Sequence, residues 1–161
     1  DSMSVNAAVA GGGSFTLRGM NTLTNNSRAG NKAGDGGGIS TSEAETLTNN
    51  SLSGNTANAG GGISTFGGTT TLTNNSLSGN EAGSVGGGIY TESSTTTLTN
   101  NIMSGTTVAN EGGGLLTSGG TTTLTNNNYR DLYRNHVHVH INHRRYISCP
   151  PHHNTPSLYQ H

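Results

Sequence analysis

Thr71-Leu72-Thr73-Asn74-Asn75 decides how this chain folds, because the same five residues recur at nearly constant spacing. The copies are centred on Leu23, Leu47, Leu72, Leu98 and Leu124, separated by 24, 25, 26 and 26 residues. A second phrase keeps step with the first. Three glycines precede an apolar residue at Gly36-Gly37-Gly38-Ile39, Gly60-Gly61-Gly62-Ile63, Gly86-Gly87-Gly88-Ile89 and Gly112-Gly113-Gly114-Leu115, with a weaker copy at Gly11-Gly12-Gly13-Ser14-Phe15. A fixed period in this range marks stacked units that share one continuous core.

Composition agrees with a stack and disagrees with an ordinary globular core. Only 28 % of the 161 residues are apolar, against roughly 45–50 % in average domains. Low hydrophobicity also favours disorder. Two observations oppose it here: charged residues make up only 9 %, and the few large apolar residues are placed periodically.

Working outward from Leu72, the unit from Gly60 to Ser84 holds Ile63, Leu72 and Leu77 in short Thr/Ser-rich runs bounded by Gly or Asn. Thr and Ile favour strands, whereas Gly and Asn favour turns. Three short strands and three turns in about 25 residues describe one rung of a parallel β-helix. Leucine-rich repeats need more leucines per unit, propeller blades and helical repeats need longer units, and helix is disfavoured by Gly, Thr, Ser and Asn. The expected fold is an all-β, right-handed parallel β-helix of about five rungs of 24–26 residues over residues 1–127. Residues 128–161 are expected to form an irregular tail, either a cap or an extension from another reading frame.

Alternation along Thr71-Leu72-Thr73 sends the leucine inward and both threonines outward. Ile63, Leu72, Leu77 and their equivalents then form the interior, with rungs about 4.8 Å apart. One asparagine of each pair is expected to turn inward, so that amides stack into a ladder. The triple glycine supplies positive φ and close backbone approach at the following turn.

At this point Gly-Gly-Gly-Ile followed by Thr-Leu-Thr-Asn-Asn-Ser-Leu-Ser-Gly-Asn resembles the right-handed parallel β-helix repeats of bacterial surface and secreted proteins. It is similar to the polymorphic outer-membrane protein repeats, whose hallmark is Gly-Gly-Ala-Ile plus Phe-x-x-Asn. Gly replaces Ala here, and the second phrase is reduced to Leu52-Ser53-Gly54-Asn55 and Leu77-Ser78-Gly79-Asn80. The resemblance covers residues 11–127. It implies an extracellular or cell-surface protein of the adhesin or autotransporter-passenger type, and it carries over no functional residue.

Chemistry is sparse. A β-helix lyase or hydrolase would need clustered carboxylates or basic residues beside a calcium site. Asp35, Glu43, Glu45, Glu81, Glu92 and Glu111 are spread along the repeat and read as scattered solvated charges. Catalytic residues are therefore expected to be absent, and no cofactor is implied. The candidate binding residues are the outward pairs Thr22/Thr24, Thr46/Thr48, Thr71/Thr73, Thr97/Thr99 and Thr123/Thr125. Such columns serve a solvated β-face, a glycan-binding face, or the flat array that an ice-binding protein requires.

The tail differs in kind. It carries four arginines, one acid and all seven histidines. His136, His138 and His140 would share one face of a strand, a spacing that suits Zn, Ni or Cu. The single cysteine, Cys149, allows no internal disulfide. No apolar run approaches the roughly 20 residues of a membrane span, and nothing marks a nucleic-acid partner. The chain opens at Asp1 without a leader, so it is expected to be a processed product or part of a longer protein. The leading expectation is a structural or adhesive surface module that contacts glycans or a host surface, with head-to-tail self-association through open rod ends. Ice binding and carbohydrate-active catalysis are the alternatives.

Overall fold

The computed structural model describes residues 2–4, 6–110, 112–130, 137–141, 144–148 and 159–160, with backbone alone from residue 129 onward. The chain winds into a parallel β-solenoid of about five turns, without helix among the described residues. Each complete coil crosses four sheets, one more than the three strands per rung expected from sequence. In the third coil the strands are Ile63–Phe66, Thr69–Thr73, Ser76–Ser78 and Glu81–Val85.

Sheet I begins with Ser14–Thr16 and continues through Ile39–Thr41, Ile63–Phe66, Ile89–Glu92 and Leu115–Ser118. Sheet II stacks Asn21–Thr24, Glu45–Thr48, Thr69–Thr73, Thr95–Thr99 and Thr121–Thr125. Sheet III runs from Ser2–Ser4 to Asn128–Arg130, so pairing continues past residue 127. Sheet IV is the shortest. Its strands Thr56–Ala59, Glu81–Val85 and Thr107–Val108 are extended toward the N-terminus only by isolated bridges through Lys32 and Asp35. The Ala, Asn and Gly content of this segment is poor strand sequence. Its neighbours hold it extended, as expected where context overrides propensity.

The interior holds the apolar residues that the repeat marks. Leu47, Leu72 and Leu98 are fully buried in one column, with Leu23 and Leu124 partly buried at its ends. Ile39, Ile63, Ile89 and Leu115 form a second column, and Leu52, Leu77 and Met103 a third. The triple glycine works by two separate means. Gly86 adopts a φ of +62°, which starts the turn. A Cβ on Gly88 would stand 2.5 Å from the Gly114 carbonyl oxygen. No side chain fits between rungs at that point.

Two corners of each coil share one chemistry. At the first, the leading asparagine of each pair takes positive φ (Asn74, 56°) and the second turns inward. Asn26, Asn50, Asn75, Asn101 and Asn127 thereby build the amide ladder expected from sequence. The Asn75 Nδ2 donates to Asn101 Oδ1 at 3.0 Å and to the Leu47 carbonyl at 2.9 Å. Its Oδ1 accepts from the Asn50 backbone N–H at 2.8 Å and from Asn50 Nδ2 at 3.1 Å. All the polar capacity of a buried amide is thus met inside the coil.

The second corner was not anticipated. In Leu77-Ser78-Gly79-Asn80, Gly79 takes the positive φ (59°) that Asn74 takes one corner earlier. Asn80 then turns inward beneath Asn55 and Asn31, forming a second amide ladder. Both corners read Leu-x-(Asn or Gly)-Asn. In the fourth coil the ladder position is Thr106, whose buried hydroxyl has no hydrogen-bond partner.

Beyond the fifth coil, Val137–Ile141 adds to sheet I in parallel, and Arg144–Ser148 and Tyr159–Gln160 follow antiparallel. No helix among the described residues is long and apolar enough to cross a membrane.

Candidate functional site

Sheet II brings all ten threonines singled out in the sequence onto one outward face. Thr22, Thr46, Thr71, Thr97 and Thr123 stack in register, and so do Thr24, Thr48, Thr73, Thr99 and Thr125. All ten are exposed or half-buried, whereas the leucines between them point inside. The cause is strict alternation on either side of a buried residue.

A third column was missed. Thr69, Thr95 and Thr121 are exposed and stack in register one position pair earlier on the same face. The last three coils therefore present Thr-x-Thr-x-Thr, nine hydroxyl-bearing side chains in a three-by-three array. Adjacent rungs are separated by about 4.8 Å and alternate residues by about 7 Å. The signal lies in Thr69-Thr70-Thr71 and its two copies, which lead into the five-residue repeat and occur in three coils rather than five. The earlier coils lack the column because Met20 and Ala44 stand there.

The threonines between these columns turn inward. Thr70 and Thr96 are fully buried, as are Thr65 and Thr91 on sheet I. The Thr96 hydroxyl donates to the Thr91 hydroxyl oxygen at 3.2 Å.

The acidic residues do not converge. Asp35 lies in the sheet IV column of Ala59 and Val85, and Glu81 in that of Thr56. Glu43 is exposed and accepts from the Gly19 backbone N–H at 2.7 Å. Glu92 is exposed and accepts from the Tyr90 hydroxyl at 2.9 Å. The Tyr90 hydroxyl is pushed up to about 12 by burial and by Glu92. Glu111 lies outside the described residues.

Glu45 corrects the reading of scattered solvated charges. It is 1 % exposed and occupies the inward position that Thr70 and Thr96 take in later coils. Its Oε1 accepts from Asn21 Nδ2 at 3.2 Å, while Oε2 has no partner. Burial pushes its carboxyl from an ordinary value near 4.5 up to about 8, opposed by the Asn21 hydrogen bond and by the charge of Arg28. Arg28 is 4 % exposed in the inward position of Leu52, and its Nε is also unpartnered. Burial lowers its pKa. The signal for both was a substitution within the repeat: Asn26-Ser27-Arg28 against Asn50-Ser51-Leu52, and Glu45 against Thr70.

Among the described residues, no group of three or more His, Cys, Asp or Glu comes together. Of the candidate metal ligands His136, His138 and His140, His136 lies outside the described residues. Only the backbone of His138 and His140 is placed, in register with Leu116 and Ser118.

No protein-family model, curated protein or solved structure matches the chain.

Proposed function

We propose that this chain is a non-catalytic surface module whose threonine face contacts hydroxyl-rich glycans at or outside the cell surface. One observation carries the reading. Five rows of Thr-x-Thr stand in register on a single sheet, and no charged side chain interrupts the ten positions. Hydroxyls both donate and accept, so such a face suits polyhydroxylated ligands at many adjacent points. Each contact is weak, and binding gains strength by repetition along the rod. The extracellular setting rests on the resemblance of the repeat to bacterial surface proteins.

The test is binding of the purified chain to immobilised oligosaccharides, beside a variant carrying Thr71→Glu and Thr97→Glu. Both substitutions lie on the outward face, so the coil should persist by circular dichroism. The expected result is binding to neutral oligosaccharides that falls at least about tenfold in the variant, the scale of one to two lost hydrogen bonds. Binding that survives both substitutions would place the contact elsewhere on the molecule.

A second reading, ice binding, is favoured by the third threonine column, which widens the array to three by three. The opposing observation is its length. Five coils span only four rung intervals, about 19 Å.

A further inference from the structure

Glu45 and Arg28 have no role in the threonine face, yet among the described residues they are the two charged side chains that are buried. Both lie in the first two coils. The equivalent inward positions of the third and fourth coils hold Thr70 and Thr96 in place of Glu45, and Leu77 and Met103 in place of Arg28. A carboxylate buried with one amide donor and one unpartnered oxygen is costly unless it stays protonated.

The surroundings of Glu45 offer little to offset ionisation. Its neighbours on sheet II are Asn21 and Thr70, neither of which titrates. Thr41, from the preceding strand of the same coil, is buried and uncharged. Arg28 from sheet III is the one charged group whose field lowers its pKa. Glu43, two residues away, faces solvent.

Among the described residues, the first coil contributes no fully buried apolar side chain. Phe15, Leu17 and Met20 are exposed, and Leu23 is only partly buried. In a solenoid each unit contacts only its neighbours, so stability varies along the stack and an end can open by itself.

We propose that Glu45 makes the first two coils an alkali-sensitive end of the stack, which opens when Glu45 loses its proton, against the opposing field of Arg28, while coils three to five stay closed. The direction follows from linkage. The folded pKa of Glu45 is raised, so its contribution is fully present below the ordinary value near 4.5 and is lost as pH rises toward about 8. Opening restores the ordinary value. Between pH 6 and pH 9 the opening equilibrium of these coils should therefore rise by about a hundredfold. Opening would release the Asn21–Thr24 and Glu45–Thr48 rows, leaving the three-column part of the threonine face in place.

The experiment is amide hydrogen exchange resolved by peptide, on the full 161-residue chain at pH 6 and pH 9, corrected for intrinsic exchange rates. The comparison is Glu45→Gln, which keeps the shape and the Asn21 contact but cannot ionise. In the unsubstituted chain, protection of residues 14–48 should fall by about a hundredfold while residues 69–104 change little. In Glu45→Gln the two pH values should agree. Equal protection of residues 14–48 at both pH values, or an equal loss in Glu45→Gln, would overturn the proposal. Loss of protection along all five coils together would also overturn it, since the stack would then open as one unit.

Discussion

Thr106→Asn should stabilise the protein, against the usual direction of substitutions at buried sites. In the third coil, Asn80 Oδ1 accepts from the Asn55 backbone N–H at 3.0 Å and from Asn55 Nδ2 at 3.0 Å, and Asn80 Nδ2 donates to the Leu52 carbonyl at 3.0 Å. One coil further on, Thr106 supplies none of these bonds and buries a hydroxyl without a partner. Asparagine there would accept from the Asn80 N–H and Nδ2 and donate to the Leu77 carbonyl. Room exists. A Cβ on Gly88 would stand 3.4 Å from Thr106 Cγ2, and the equivalent point on Gly62 stands 3.3 Å from Asn80 Nδ2.

Three hydrogen bonds at about 0.5–1.5 kcal/mol net each give about 3 kcal/mol, with a ceiling of about 4.5 kcal/mol. Ordering the longer side chain removes about 1 kcal/mol. The expected gain is about 2–3 kcal/mol, or roughly 4–12 °C in Tm for a chain of this size. Thermal and urea unfolding followed by far-UV circular dichroism would read it. Thr106→Val is the control, since it removes the orphaned hydroxyl without adding an amide, and its gain should be smaller. A Thr106→Asn protein no more stable than Thr106→Val would show that the second ladder contributes nothing to stability.

The remaining expectations concern the core, the face and the ends. Leu72→Asp buries an unpaired charge between Leu47 and Leu98 and should unfold the central coils, read as loss of the β-sheet signal at 25 °C; a native spectrum would place Leu72 outside the core. On a face about 19 Å long, ice crystals should keep their ordinary shape at micromolar protein; shaping that Thr73→Tyr abolishes would make ice the ligand. Among the described residues, the outermost strands Thr107–Val108 and Thr121–Thr125 have a neighbour on one side only, and such edges invite pairing. A chain of residues 1–127 should therefore associate with increasing concentration in light scattering, and a strictly monomeric one would mean the ends are closed.

What could be read from sequence was what repetition enforces. Leu47, Leu72 and Leu98 share one environment because each sits between copies of itself, so the period alone placed them inside. The same logic assigned the paired asparagines and the triple glycine. Departures from the repeat were harder to place. Glu45 breaks its column, and polarity argued for solvent although position argued for the interior; position won, as it did for Arg28 in the column of Leu52. The second ladder was hidden because Leu-Ser-Gly-Asn looked like a worn family hallmark. Its likeness to Leu-Thr-Asn-Asn appears once Gly79 and Asn74 are seen to share a backbone conformation. The fourth strand of each coil has little strand propensity of its own, so only its neighbours disclose it.

In-register stacking of the threonine rows underlies both the fold and the proposed face, and disulfide trapping tests it most directly. In a Cys149→Ser background, Thr73→Cys with Thr99→Cys places two thiols on register partners. Their Cα atoms stand about 4.8 Å apart, inside the range that a disulfide spans. Thr73→Cys with Thr97→Cys places them on a diagonal, at about 7–8 Å and beyond easy reach. Mild oxidation should cross-link the first pair completely and leave the second largely reduced. Preferential cross-linking of the diagonal pair, or none in either, would contradict the stacked rows on which the fold and the face depend.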